Sequence, residues 1–415
     1  MTSDPQASDV SELRQAKAPP AGGDLATRLA DWLIEQALGE DALEAVFEGC
    51  CRRLYALGIP LMRGHIGFRT LHPLYNAVTM TWQPDGGLDV QRFTPEADAR
   101  ADWRASPLHY MIEHNVPVLR RRLVGDGARF DFSVLRGFRE AGGTDYLAFL
   151  VVFDPARRTG MIGSWLADAP DGFSEADLTV LQRVQRYLAL ACKTKMERQI
   201  AHNVVDAYLG PQAGREVLEG RIRRGEGRLV EAALWYSDLR SSTPLAERLP
   251  VEGFLAHLNT YFEATAGAVL AAGGDIIMLI GDAVLAMFPA DGDAQAACRR
   301  AWAAAEDALA RLETANRDRP EAERMRCGIG LHYGTVVFGN LGVPERLEFS
   351  VVGADVNRVT RLEDLTKHLG RPILASAAFA RHVDIDWSDL GRHELRGVAD
   401  AQPVFAPADP DAFRA

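Results

Sequence analysis

Long hydrophobic runs, cysteine pairs and basic clusters are all scarce in this 415-residue sequence. No stretch of about 18 apolar residues occurs, and the N-terminus lacks the basic-then-apolar pattern of a secretory signal, so neither membrane spanning nor export is expected. The five cysteines, Cys50, Cys51, Cys192, Cys298 and Cys327, are odd in number and show no CxxC spacing and no histidine at zinc-site distance. They read as free thiols of a cytoplasmic protein. Acidic residues outnumber basic ones, 57 to 46, for a formal charge of −11. Basic runs are short, as in Arg120-Arg121-Arg122, which argues against a nucleic-acid or anionic-membrane partner. An anionic substrate would then need metal ions or local cations. No internal repeat is present.

What is there is globular material: 47% hydrophobic and 25% charged residues can bury a core. The length suggests two folded units joined by helices. Residues 1–24, rich in Ser, Pro, Ala and Gly, read as a disordered leader. Leu29, Leu33 and Ala37, then Leu43, Val46, Phe47 and Cys50, return at helical spacing. Short strands are expected at 62–71, 77–82 and 88–93, a helix near 106–115, and strands at 145–153 and 159–166. Ser174 and Asp177 cap a long helix that continues toward Lys195. This order resembles a GAF-type sensory domain, an α/β unit over residues 25–198, and the resemblance implies an unidentified small-molecule or protein signal. His65, His72, His109 and His114 read as structural or exposed. The segment 199–228, broken at Gly210, Pro211 and Gly214, reads either as a surface linker or as a helical transmitter.

From 229 to 408, helices alternate with strands that partly pair as hairpins, which predicts an α+β domain. Three elements in it carry chemistry. The buried run 232–236 ends abruptly in Ser237-Asp238-Leu239-Arg240-Ser241, placing a carboxylate at a strand end, as a metal ligand or a helix cap. In GGDIIMLIGDAVLAMFP (273–289), Gly281-Asp282 sits between two apolar runs as a tight hairpin turn. Two such acids together can hold Mg²⁺ at a polyphosphate. Finally, a helix from Val356 to a Gly370 stop carries Asn357 and Arg361, four apart and so on one face.

In this order, with Asp282 about 44 residues after Asp238, the three elements resemble class III adenylate and guanylate cyclases over about 175 residues. The phrases GLHYG (330–334) and FGNLG (338–342) add to the match. The resemblance implies a ferredoxin-like α+β fold and a head-to-tail homodimer that forms 3′,5′-cyclic nucleotide from ATP, with GTP as the alternative. It implies that Asp238, Asp282 and the Leu239 carbonyl hold two Mg²⁺ or Mn²⁺ ions. Asn357 would orient the ribose and Arg361 would stabilise charge on the α-phosphate.

The sequence departs from the family pattern at the purine-selecting positions. Met278 stands where adenylate cyclases have lysine, and Ser350 where they have Asp or Thr. A thioether donates no hydrogen bond to a base, while a serine hydroxyl can still pair with one. Arg326 and Arg396 are candidates for the triphosphate, or simply solvated charges.

Overall fold

The computed structural model describes residues 25–408 apart from Pro155, Arg157, Arg158 and Ala399; the leader expected over 1–24 lies outside the described residues. The chain divides into two compact units, Met1–Val204 and Val205–Ala415.

The first unit contains helices α1 (Leu25–Leu38) and α2 (Leu43–Ala56), strands β1 (Leu61–Arg69), β2 (Ala77–Gln83) and β3 (Gly87–Phe93), helices α3 (Ala101–Arg104) and α4 (Pro107–Glu113), strand β4 (Val118–Arg122), helix α5 (Ser133–Glu140), and strands β5 (Asp145–Asp154) and β6 (Thr159–Ala167). Its six strands run β3-β2-β1-β6-β5-β4. Every pairing is antiparallel, so the unit is α+β rather than the expected α/β. One face packs Ile66, Met80, Leu147, Phe149 and Trp165 against α1, α2 and the long helix α6 (Glu175–Leu209). The other packs Tyr146, Ala148, Ile162 and Leu166 against α3, α4 and α5.

Strand β4 was not expected, because its sequence is the arginine run. Those charges are compatible with a sheet because acids remote in sequence neutralise them: Arg120 bonds Asp145 at 2.7 Å and Arg121 bonds Asp131 at 2.6 Å. The α6 cap is as expected, Asp177 N donating to Ser174 Oγ at 3.2 Å while Ser174 N donates to Asp177 Oδ2 at 2.9 Å. The helix overruns Lys195 by four turns and ends where Gly210 takes φ +82. Helix α7 (Pro211–Leu218) then begins on the proline, which has no amide to lose at that position. Gly214 is no break: it lies inside α7, where an added Cβ would strike Asp206.

The second unit holds strand β7 (Gly227–Leu239), helices α8 (Ser242–Arg248) and α9 (Val251–Ala271), the hairpin β8 (Asp275–Ile280) and β9 (Ala283–Pro289), helix α10 (Ala294–Asn316), and strands β10 (Cys327–Val343) and β11 (Arg346–Val352). Helix α11 (Ala354–Leu369), strand β12 (Ile373–Ser376), helix α12 (Ala377–Ala380), and strands β13 (Trp387–His393) and β14 (Gln402–Pro407) complete it. The sheet order is β13-β14-β12-β10-β7-β9-β8, with β11 on β10. Strands β7 to β10 and helices α9 and α10 thus form a βαββαβ unit in the order β10-β7-β9-β8, which is the expected ferredoxin-like α+β core. Ala-rich α10 and α9 cover one face, around Trp235, Phe288 and Ile329. All five cysteines are free and buried. Among the described residues, no helix is long and apolar enough to cross a membrane.

Candidate active site

The acidic pair is built by strand register. Asp238, next to last in β7, pairs with Ala283 on one side and Gly328 on the other, so the β8–β9 turn lies beside it. That turn is two residues long. Gly281 takes φ +64 while Asp282 keeps an ordinary φ, the pattern of a type II′ hairpin that only glycine enters without strain. The turn sets the Asp282 carboxyl against that of Asp238. Burial raises the Asp238 carboxyl above its ordinary range, and the charge of Asp282 and a hydrogen bond with it push the same way; Lys367 pulls against them.

Helix α11 closes over β10 next to this pair. Gly328, Gly330 and Gly334 lie on one face of β10, and an added Cβ would strike Glu363 and Thr366 at the first, the Val359 carbonyl at the second and Asp355 at the third. The helix therefore rests on bare backbone. Lys367, near its C-terminal end, reaches Asp238 Oδ2 at 3.2 Å. One turn earlier Glu363 is 1% exposed, and burial, followed by the charge of Asp238, pushes its carboxyl up to about 7. Tyr236 sits among these acids, its phenol pushed up to about 12, first by burial and then by the charges of Asp238, Glu363, Asp364 and Asp282. Arg240 ties the strand end to the helix, Nη2 donating to Thr366 Oγ1 at 3.0 Å.

The N-terminal end of α11 is fastened separately. His332, on the glycine face of β10, bonds Ser376 Oγ at 2.7 Å and Asp355 Oδ1 at 3.1 Å. Asp355 also accepts from Thr335 N at 2.8 Å and from Arg358, and these partners, His332 foremost, hold its carboxyl down at about 2.

Asp238, Asp282 and the Leu239 backbone thus share one strand end. Asn357 and Arg361 do not join them: among the described residues, no hydrogen bond or ion pair links either to the aspartates. Asn357 is exposed. Arg361 donates through Nη1 to Asp364 at 2.8 Å, and its buried Nε has no partner. Met278 faces Leu285 and is partly buried against the cluster holding Phe349 and Met287. Ser350 is buried on β11, which lies against β8, so the two positions expected to select the purine occupy neighbouring strands. Arg326 precedes β10 rather than lying on it, is 58% exposed and pairs with Glu321. Arg396 is exposed in the connection between β13 and β14.

Sequence reasoning missed Lys367, Glu363, Tyr236 and Arg240. The Glu363-to-Lys367 interval of four was the available signal, since it puts both on one helix face.

A hard divalent cation fits the acidic pair. Burial and then the charge of Asp282 raise the Asp238 carboxyl, and among the described residues only Lys367 opposes them. Among the described residues, no group of three or more His, Cys, Asp or Glu is arranged to cage a metal. One or two carboxylates with substrate phosphate and water is how Mg²⁺ is commonly held.

Residues 227–402 match the family described as Adenylate and Guanylate cyclase catalytic domain. This segment is a class III cyclase catalytic domain. The chain is similar to Adenylate cyclase 1 of Rhizobium meliloti (strain 1021), 32% identical over 181 residues that make up 42% of this chain and 27% of that protein. Adenylate cyclase 2 of the same organism is 34% identical over 202 residues, 46% of this chain and 53% of the relative. The adenylate cyclase of Anabaena cylindrica is 34% identical over 165 residues, 39% and 32% of the two chains. The chain thus spans about half or less of the length of these relatives. A solved bacterial light-regulated adenylyl cyclase is 29% identical, covering 44% of this chain and 92% of that one, with a TM-score of 0.38. The matched segment lies within the second unit, and these sequence relatives cover less than half of the chain.

Proposed function

We propose that the chain is a sensor-regulated adenylate cyclase that converts ATP to 3′,5′-cyclic AMP and pyrophosphate as a cytosolic homodimer. The observation that carries this reading is the pair of facing carboxylates, Asp238 and Asp282, at one end of the cyclase-domain sheet. Bound there and at the Leu239 carbonyl, two Mg²⁺ or Mn²⁺ ions would supply Lewis-acid activation of the 3′-hydroxyl and neutralise the triphosphate.

The chain's own groups do the positioning. Asn357 presents an exposed amide to the ribose. Arg361 carries a buried, unpartnered Nε and a surface contact to Asp364 that a phosphate can replace, which supports a role at the α-phosphate. Among the described residues neither bonds the aspartates of its own chain, which supports a site completed by the second copy. Arg396 and Arg326 are both exposed; Arg326 would exchange its surface pair with Glu321 for the outer phosphates.

Met278 favours a second reading, relaxed purine choice. Its thioether packs among apolar side chains and offers the base no donor. The six-stranded first unit, with α6 continuing unbroken to Leu209, supports a sensory role in which the helix carries the signal.

Purified protein assayed with Mn²⁺ and ATP, GTP, CTP or UTP tests the reading. Cyclic AMP as the main product is expected, with cyclic GMP as the minor one. Absence of any cyclic product would leave a nucleotide-binding regulatory role instead.

A further inference from the structure

Directly paired residues of neighbouring strands share a face. In the first unit this register puts Thr81, His65, Ser164 and Ala148 in one row and Arg63, Leu166, Tyr146 and Arg121 in the next, on the sheet face whose Tyr146, Ala148 and Leu166 pack against α3 to α5. Two arginines of β4 show how a charge is accommodated on this sheet. Arg121 holds Asp131 through two nitrogens, and Arg120, on the opposite face, holds Asp145. Partly buried Arg63 has no carboxylate: among the described residues its polar contact is a long one, 3.4 Å from Nη2 to Thr81 Oγ1, and its guanidinium lies 5.4 Å from the centre of the Phe138 ring.

The surroundings do not compensate. His65 shares Thr81 Oγ1 at 2.9 Å, and burial together with the Arg63 charge pushes its imidazole down to about 3, so the ring is neutral. Burial also lowers the Arg63 guanidinium, with only the Tyr146 phenol opposing it. A cation drawn out of water without a counter-charge costs stability unless something supplies one. In a chain with 57 acidic residues, none of the described ones is placed to do so.

We propose that Arg63, Thr81 and His65 form a binding site for the oxyanion of a small aromatic carboxylate. The planar guanidinium offers two parallel donors to a carboxylate. Phe138, partly exposed beside it and backed by the buried Tyr146 ring with centroids 5.6 Å apart, offers an apolar ring surface to the rest of the molecule. The site gives the sensory reading a ligand class, and binding can be measured apart from it.

The test is thermal unfolding of the full chain with benzoate as probe. The melting temperature is expected to rise with benzoate, by a few degrees at saturation, and Arg63→Met is expected to abolish that rise. Without benzoate, Arg63→Met is expected to melt at or above the wild-type temperature, because an uncompensated charge is gone. Arg69→Gln, which loses only a surface pair with Asp98, is expected to keep the benzoate response. No response in the wild type, an equal response in Arg63→Met, or a marked loss of stability in that variant overturns the proposal. A response to inorganic phosphate but not to benzoate overturns the carboxylate assignment. Cyclic AMP formation with and without benzoate reports the coupling; binding without a change in rate counts against the sensory reading alone.

Discussion

Lys367 Nζ lies 3.2 Å from Asp238 Oδ2, joining the C-terminal end of α11 to the acidic strand end across 129 residues of sequence. The ammonium stands where a divalent cation would compete for the same oxygen. Lys367→Met removes that competitor. The Mn²⁺ concentration for half-maximal activity is expected to fall roughly fivefold, the equivalent of about 1 kcal/mol for a partly exposed pair. A metal titration of cyclic AMP formation checks it; a rise in the required Mn²⁺ contradicts it.

The aspartates themselves are expected to be indispensable. Asp238→Asn and Asp282→Asn should each lower turnover by roughly 100-fold or more, on the scale of losing one preorganised charge-stabilising group. Circular dichroism should show the fold unchanged. In metal-free buffer Asp238→Asn should melt no lower than wild type, since it removes a half-buried charge and its repulsion with Asp282, the two causes that raise the carboxyl.

Glu363 gives a pH signature. Its carboxyl is raised from 4.5 unfolded to about 7 folded. As pH climbs through that window the unfolded chain releases this proton first, so the folded state loses relative stability, and the loss is complete above about 7. Glu363→Gln mimics the protonated form and removes the slope. The melting temperature of the variant minus that of wild type should therefore grow from about pH 5 to about pH 8. A difference that stays flat contradicts the assignment.

Shared sites predict complementation. Asp238→Ala and Arg361→Ala chains, each inactive, should recover roughly a quarter of wild-type activity when mixed equally, because half the dimers are mixed and each has one intact site. No recovery would place Arg361 and Asp238 in the same chain's site.

Much of the second unit was legible in the sequence because its signals are local. Gly281-Asp282 between two apolar runs has few conformations other than a tight hairpin, and Gly370, at φ +62, stops α11 where expected. Arg120 to Arg122 misled because what makes them a strand is Asp145 and Asp131, acids 25 and 10 residues away in sequence. Lys367 and Glu363 were passed over for the same reason: nothing on their own helix says that the end of β7 lies opposite. The length of α6 was underestimated because polar residues beyond Lys195 weaken its apolar stripe without breaking the helix.

The bare glycine face of β10 has one more consequence. Gly328, Gly330 and Gly334 let α11 touch backbone, so the separation between helix and strand is fixed by three missing methyl groups. A single extra carbon at any of them would lift the helix, and with it the guanidinium of Arg361 and the ammonium of Lys367. The tolerance of the site to drift is thereby set at positions that carry no functional group at all.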